Sequence, residues 1–471
     1  MEKLRSKPQF TEGPIFSRIF LFALPIMMTG LLQHLYALAD NVVVGRFSGD
    51  PNALAAVGST GSFNNLVVNL FIGISTGCGV LAAQYYGAKR IKELSRTVHT
   101  GLTVALLVGA LACAVGLIIA RPMLTFMGTK AVVLDQATLY ISIIFIGLPA
   151  SAVYNFGAAI LRAIGNSKTP LTILSCTGLA NVILNLYFVI VLKMSVAGVA
   201  TATIIAQYLS AIAVVVVIMR ENDEYRFRFK QICVDKAIFI KMLRIGIPSG
   251  IQGSLFSISN MTIQSAVNTF PPTTVSGNTV GSQIEGFIYV AMNSFYQATL
   301  TMVGQSYGAG KMKRANRVLL YSLIQVIVTG LTVSTLCSMF ASPLSALFVD
   351  TGEAHAIEII TASALRTRVI MRTYFLCGIM EVLSGYLRGL GRSFVPMVSS
   401  LIGACGLRII WVMLIFPLTA FNSPTGLYLV MPVSWTLTCL LHAVTIFLTN
   451  RSLRKNHSEL YKAPVYAKPE R

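Results

Sequence analysis

The feature that most constrains this chain is a succession of long apolar segments, each about as long as a lipid bilayer is thick. A helix that crosses the hydrocarbon core needs about 20 mostly apolar residues. The sequence therefore predicts an all-α integral membrane protein with twelve transmembrane helices. The predicted spans are 18–44, 54–80, 98–120, 137–160, 170–192, 196–219, 245–268, 279–304, 318–340, 362–386, 396–418 and 426–449.

The composition supports the same fold class. Only 11% of the 471 residues are charged, whereas soluble domains carry about 25%. The net charge of +20 would suit a nucleic-acid partner, but the basic residues lie in short segments between apolar spans. That distribution is typical of loops that face anionic lipid. We expect a lipid bilayer as partner, no nucleic acid, and, in the absence of a nucleophile motif, metal-ligand spacing or phosphate loop, no enzyme.

The distribution of positive charge predicts the orientation. Lys and Arg collect in the segments on the side of the two termini, which hold 29 of the 37 basic residues. Cytoplasmic loops carry such an excess, so both termini are expected in the cytoplasm. Residues 451–471, with Lys and Pro and little apolar character, are predicted to form a cytoplasmic tail.

The chain also repeats itself. Matched pairs recur in order at offsets of 221 to 228 residues: Pro25 with Pro248, Gln84–Ala88 with Gln305–Ala309, Leu161–Gly165 with Leu387–Gly391, and Gly198 with Gly426. Duplication of a six-helix unit places the two copies in the same orientation, related by a pseudo-two-fold axis along the membrane normal. The prediction is an N-lobe at 1–219, a cytoplasmic linker at 220–244 and a C-lobe at 245–450. Alternating access suits two such lobes, and a channel or a membrane enzyme remains an alternative.

The same motifs carry a family resemblance. Leu24-Pro25 with Ala39–Gly45, Gln84–Ala88, and the two Leu-Arg-X-X-Gly segments resemble the multidrug and toxic compound extrusion (MATE) transporters over about residues 15–450. The setting of Asp40 is similar to that in the DinF-like bacterial branch. The resemblance implies a transporter in the bacterial cytoplasmic membrane that exports amphipathic, often cationic compounds. A monomer is the default expectation for the oligomeric state. It implies no cofactor beyond H⁺ or Na⁺ as coupling ion.

Three acidic residues fall inside predicted spans, and Asp40 is the expected coupling acid. A charge inside the bilayer is costly and usually functional. Gln33 and Asp40 lie on one face of the first span, and Asn181 and Asn185 on one face of the fifth. The resemblance implies that these faces meet and that Thr203 joins them. Many DinF-like members have Asp at position 185, so this chain keeps a single carboxylate; that favours protons, with Na⁺ at Asp40 as the alternative.

A second set of residues is predicted to line a substrate cavity or to form a second site: Tyr36, Asn155, Glu285, Glu381 and Arg408. The other two intramembrane acids, Glu285 and Glu381, have two possible roles. Each is either a functional group or a structural ion-pair partner of an arginine. Arg408 is costly inside the bilayer unless it is paired, and either acid is its natural partner. The runner-up function is a flippase for lipid-linked oligosaccharides, which the resemblance places in the same superfamily.

Overall fold

The computed structural model describes residues 10–50, 52–221, 225–349, 355–456 and 458–461. Within these ranges the chain forms helices and connecting segments and no β-strand. The α-helices are α1 (Ile15–Phe47), α2 (Ala53–Gly87), α3 (Ile91–Phe126), α4 (Ala131–Ile146), α5 (Leu148–Ala163), α6 (Lys168–Leu186), α7 (Ser195–Met219), α8 (Lys236–Val267), α9 (Pro272–Gly308), α10 (Met312–Met339), α11 (Ala341–Ala346), α12 (Ala356–Met371), α13 (Phe375–Gly389), α14 (Phe394–Ser400), α15 (Leu407–Ile410), α16 (Pro424–Tyr428) and α17 (Val430–Asn456). Segments Tyr187–Val191, Leu401–Gly406 and Trp411–Ile415 are π-helical.

All twelve predicted spans coincide with a helix or with a helix interrupted by a short break. Among the described residues, eight of these helices are long and apolar enough to cross a membrane unaided, and the bent pair α4–α5 makes a ninth. The remaining three predicted spans lie on α8, α9 and the α12–α13 pair, which carry more polar side chains. Large apolar residues such as Ile118, 76% exposed, lie on the outer surface of the helices, as expected where lipid replaces water. The all-α transmembrane fold class is confirmed.

The predicted fourth span is broken near its middle. Helices α4 and α5 meet at Gly147 with a bend of 46°. Pro149, in the first turn of α5, has no N–H to donate to the preceding turn and its ring clashes with a continuing helix. Gly147 supports the break because its N–H bonds to the Ile144 carbonyl at 2.9 Å, which tightens the end of α4. The bend follows from the sequence Gly-Leu-Pro.

The described chain divides into two compact units whose boundaries fall inside helices. The first unit contains Met28–Gly250, and the second contains Phe10–Met27 and the described residues of Ile251–Arg471. The boundaries after Met27 and after Gly250 are 223 residues apart, the same offset that relates Pro25 to Pro248. Helices α1 and α8 are therefore each divided between the two units. The division falls at equivalent positions of the repeat, just after the proline of each helix. The lobe boundaries that the repeat suggests stay a prediction.

In the first unit, the early part of α8 packs closely on α2. A Cβ at Gly73 would overlap the backbone of Gly250, and a Cβ at Gly77 would overlap the backbone of Met242. Small residues at such positions let two membrane helices approach until their backbones touch. The glycines therefore hold α8 against α2 by shape.

In the second unit, the segment that precedes α1 is held by Arg314 of α10. This arginine is fully buried and donates to three backbone carbonyls: Phe10 at 2.7 Å, Glu12 at 2.6 Å and Gly13 at 3.0 Å. The side chain of Gln305 accepts from the Phe10 N–H at 2.9 Å. Buried backbone groups need partners, and here one guanidinium satisfies three of them.

Candidate functional site

The central cluster of the first unit joins α1 to α6 through Asp40. The Asn185 side-chain amide donates to the Asp40 carboxyl at 2.5 Å and lies 3.3 Å from the Asn181 side-chain oxygen. Asn185 is fully buried, and its own side-chain oxygen has no hydrogen-bond donor within the described part of the chain. A buried acceptor without a donor is uncommon and calls for an explanation.

Helix α7 completes the cluster. The Asn181 amide lies 3.5 Å from the hydroxyl oxygen of Thr203, and that hydroxyl is within hydrogen-bonding reach of the Asp40 carboxyl. One turn earlier in α6, Ser210 of α7 donates to the Thr177 hydroxyl at 3.0 Å. The structure thus brings together Asp40, Asn181, Asn185 and Thr203, the neighbours that the family resemblance implied; their role in ion coupling stays a prediction.

Tyr140 of α4 is a neighbour of Asp40 that sequence reasoning missed. Its phenol lies close enough to the carboxyl for the two groups to interact electrostatically. Only its hydroxyl, near the start of the apolar fourth span, could have drawn attention to it. The predicted member Gln33, by contrast, is exposed and makes no hydrogen bond to the described residues.

Tyr36 packs directly over Gly178. A Cβ at Gly178 would overlap the Tyr36 ring, and the Tyr36 hydroxyl donates to the Ser175 carbonyl at 3.3 Å. The ring therefore fixes the distance between α1 and α6, one turn away from Asp40. Asn155, predicted alongside Tyr36, donates instead to the carbonyl of Ser151 on its own helix at 2.8 Å.

In the second unit, Glu285 of α9 is paired with Arg366 of α12. The two side chains are 2.5 Å apart and largely buried. The expectation that Glu285 or Glu381 pairs with Arg408 is wrong within the described residues, because neither acid comes within 4.0 Å of it. Arg408 is satisfied by neutral groups: its guanidinium donates to Asn260 at 2.9 Å and to Ser434 at 3.1 Å, and it lies 5.7 Å from the ring centre of Phe256.

Glu381 of α13 has no basic partner within 4.0 Å among the described residues. Its carboxyl accepts from the Tyr289 hydroxyl at 3.5 Å, and Asn293 lies 3.5 Å from the same hydroxyl. Tyr289 is 40% exposed although it lies in the middle of a membrane helix. Glu285, Tyr289, Asn293 and Gln297 follow each other at intervals of four along one partly exposed face of α9. A polar face of this kind is costly against lipid, so we expect it to face a polar environment.

A family model matches the chain twice, once in each copy of the repeat. Residues 25–187 and 248–414 match the MatE family model, which together are more than half of the chain. The chain belongs to the MatE family. One MatE match lies in each copy of the internal repeat, and the two matches begin at the repeated prolines Pro25 and Pro248. The chain is thus a multi-pass membrane protein of a transporter family.

Relatives of similar length support the assignment to the MatE family. The chain is 26% identical over 416 residues to "Probable multidrug resistance protein YoeA" of Bacillus subtilis (strain 168), covering 86% of this chain and 87% of that protein. It is 24% identical over 400 residues to "Probable multidrug resistance protein NorM" of Thermotoga maritima, covering 84% of each. It is also 22% identical over 441 residues to "FAD transporter" of Shewanella oneidensis, covering 92% and 94%.

Solved structures show the same fold. The chain aligns with "Outward-facing conformation of a multidrug resistance MATE family transporter of the MOP superfamily" at a TM-score of 0.87 and 21% identity, covering 97% of this chain and all of that one. It aligns with "Crystal structure of MATE in complex with MaL6" at the same TM-score and identity, covering 95% and 99%. At this identity the likeness concerns the fold alone.

Proposed function

We propose that the chain is a proton-coupled antiporter that exports amphipathic, often cationic compounds across the bacterial cytoplasmic membrane by alternating access, with both termini in the cytoplasm. Asp40 is the coupling acid. The observation that carries this proposal is a lone carboxylate within α1 whose contacts, Asn185 and Thr203, are neutral. An ionised side chain in the membrane costs about 3 kcal/mol or more, so binding a proton there changes the energetics of the whole helix.

The unsatisfied oxygen of Asn185 favours a proton as the bound ion. A carboxylate only accepts hydrogen bonds, whereas a protonated carboxyl can also donate one. The Asn185 amide already donates to Asp40, so a protonated Asp40 offers the donor that the Asn185 oxygen lacks. Sodium is the second candidate, because the same oxygen and the Thr203 hydroxyl are hard ligands for a cation.

In the second unit, we propose that Glu381 and Tyr289 receive the cationic group of the substrate. Glu381 interacts electrostatically with Arg388. It has no arginine or lysine within 4.0 Å in the described residues, so its carboxyl is not held in an ion pair. Tyr289 is exposed beside it and can offer the face of its ring to an ammonium group. Glu285 does not share this role, since Arg366 already neutralises it.

The test is ethidium transport in proteoliposomes under three conditions: an imposed pH gradient, an imposed sodium gradient, and no gradient. A proton antiporter accumulates ethidium only with the pH gradient. Accumulation with the sodium gradient alone would mean that Na⁺, and not H⁺, is the coupling ion. The proposed site at Asp40 would then be unchanged. A passive channel would let ethidium equilibrate without accumulation. If no condition moved ethidium, transport of isoprenoid-linked glycans would be tested, since the flippase reading would then be favoured.

A further inference from the structure

The segment between α7 and α8 forms a strap over the first unit. Residues 225–235, here called the linker strap, begin as an extended segment, with φ −130° and ψ 122° at Arg228. Side chains alternate along it as in a strand: Tyr225 and Phe227 are buried, whereas Arg228 points outward. The inward rings pack edge-on against Tyr86 (6.5 Å between ring centres) and beside His99 (5.2 Å).

Backbone and charge contacts fix the linker strap at the start of α3. The Arg228 N–H donates to the His99 ring at 3.0 Å, and the Asp235 N–H donates to the Thr100 hydroxyl at 3.1 Å. Asp235 also pairs with Arg96 at 3.5 Å. Because the linker strap is tied to α3 at Arg228 and at Asp235, the side chains between these two residues are presented at a defined place.

Those side chains line an open groove of about 560 Å³ at the end of α7. The groove is lined by Met219, the last residue of α7, and by residues 226–231. Three of the lining residues are basic: Arg226, Arg228 and Lys230. The groove also has an apolar side, because Phe229 is 61% exposed, and Ile232 and Val234 beyond it are 52% and 43% exposed.

Basic and exposed apolar side chains side by side, at the end of a transmembrane helix, match the chemistry of a lipid at the membrane surface. Basic residues near the surface attract anionic headgroups, and exposed aromatic and aliphatic residues insert at the boundary with the acyl chains. A soluble phosphorylated ligand would use the basic residues alone and leave Phe229, Ile232 and Val234 in water. The apolar residues therefore favour a lipid.

We propose that the groove of the linker strap binds one anionic phospholipid, with the phosphate against Arg228 and Lys230 and the upper acyl chain against Phe229. The site requires only that the chain lies in a membrane. It is independent of the coupling ion and of Asp40, so it stands even where the proposed antiport fails.

The test is native mass spectrometry of the purified full chain, titrated with phosphatidylglycerol and, separately, with phosphatidylcholine. Wild-type protein is expected to bind the first phosphatidylglycerol more tightly than phosphatidylcholine. The Arg228→Gln/Lys230→Gln variant should lose about fivefold in affinity for phosphatidylglycerol per charge removed. Its affinity for phosphatidylcholine should fall less, because the choline cation offsets the phosphate charge. Phe229→Ser should weaken the binding of both lipids.

A matched control removes two exposed basic residues elsewhere. Arg451→Gln/Lys455→Gln takes the same charge from the end of α17 and should bind phosphatidylglycerol as wild type does. An equal loss in this control would overturn the proposal, because net charge and not the groove would then govern binding. Equal affinity of wild type for the two lipids, or displacement of the lipid by soluble glycerol phosphate at similar concentration, would also overturn it.

Discussion

At the scale of single residues, Asp40 and Glu381 share one property: each is a membrane carboxylate with no ion-pair partner within 4.0 Å among the described residues. Glu285 differs, because Arg366 lies 2.5 Å away. A charge that already has a buried partner holds the fold together, and breaking such a pair is costly. A charge without one is available to a proton or a ligand. Carboxylates with an ion-pair partner and carboxylates without one should therefore respond differently to the same substitution.

Comparing Glu381→Gln with Glu285→Gln tests this difference. Glu285→Gln leaves Arg366 buried without its counter-charge and should cost about 3 to 5 kcal/mol of stability, seen as a lower thermal unfolding midpoint. Glu381→Gln should keep the midpoint near that of wild type and raise the KM for ethidium tenfold or more, since a hydrogen bond to a charged group contributes about 1.5 to 3 kcal/mol. A reversed pattern would contradict the assignment of roles.

Gly178→Ala tests the contact between α1 and α6. The new methyl group would overlap the Tyr36 ring, and overpacking of this kind costs about 1 to 3 kcal/mol. We expect a lower unfolding midpoint that is restored by adding Tyr36→Ala. Gly58→Ala is the matched control, because nothing lies within 4 Å of a Cβ at Gly58. Unchanged stability of Gly178→Ala would mean that the ring moves aside freely.

Part of the site could be predicted from the sequence and part could not. Spacings of four and seven place Asn181, Asn185 and Asp40 on faces of their helices, and the resemblance joins those faces. The prediction that Arg408 pairs with Glu285 or Glu381 was wrong, because ion pairing between helices depends on the rotation of each helix about its own axis. Each residue turns a helix by about 100°, so spacing alone could not separate Arg366 from Arg408 as the partner of Glu285.

At the scale of helices, the segments before α1 and before α8 are held in parallel ways. Residues 10–13 are tied to α10 within the second unit through Arg314, and the linker strap is tied to α3 within the first unit through His99 and Asp235. The repeat predicts that α1 and α8 are equivalent. These contacts join residues about 130 and 300 positions apart, so no local pattern could have predicted them.

Replacing Arg314 should release the segment before α1. Arg314→Met removes the donor to three carbonyls, and each hydrogen bond to a charged group contributes about 1.5 to 3 kcal/mol. We expect faster hydrogen–deuterium exchange at residues 10–20 and unchanged exchange in the linker strap. Lys313→Gln, at an exposed neighbouring position, is the control and should exchange like wild type. Equal protection of residues 10–20 in Arg314→Met would show that other contacts hold this segment.

The linker strap should loosen only at strongly alkaline pH. Burial raises the pKa of Tyr225 to about 12, from an ordinary value near 10. The folded state thus holds the phenolic proton more tightly than the unfolded state, so this stabilisation is complete below pH 10 and is lost as the pH rises through 12. Between pH 9.5 and 11.5 the unfolding midpoint of wild type should fall more steeply than that of Tyr225→Phe. If the unfolding midpoints of wild type and Tyr225→Phe fell equally steeply with pH, the Tyr225 hydroxyl would not be buried as described.

At the scale of the whole molecule, two copies of one helical unit carry different polar groups. The first copy holds a lone carboxylate among amides and hydroxyls. The second holds an ion pair, a buried arginine among neutral groups and a carboxylate beside an exposed tyrosine. Apolar length and charge distribution predict the helices of both copies, because lipid constrains every span in the same way. The division of chemistry between the copies depends on side-chain packing, which those patterns do not contain.

The measurement that tests the central claim most directly is drug-induced proton release from proteoliposomes with an imposed pH gradient, comparing wild type with Asp40→Asn. Asp135→Asn is the matched control, since that acid is 79% exposed and pairs with Arg121 at the surface. We predict that ethidium releases protons with wild type and with Asp135→Asn, and that Asp40→Asn abolishes the release. Proton release by Asp40→Asn at the wild-type rate would contradict the role of Asp40 as the coupling acid.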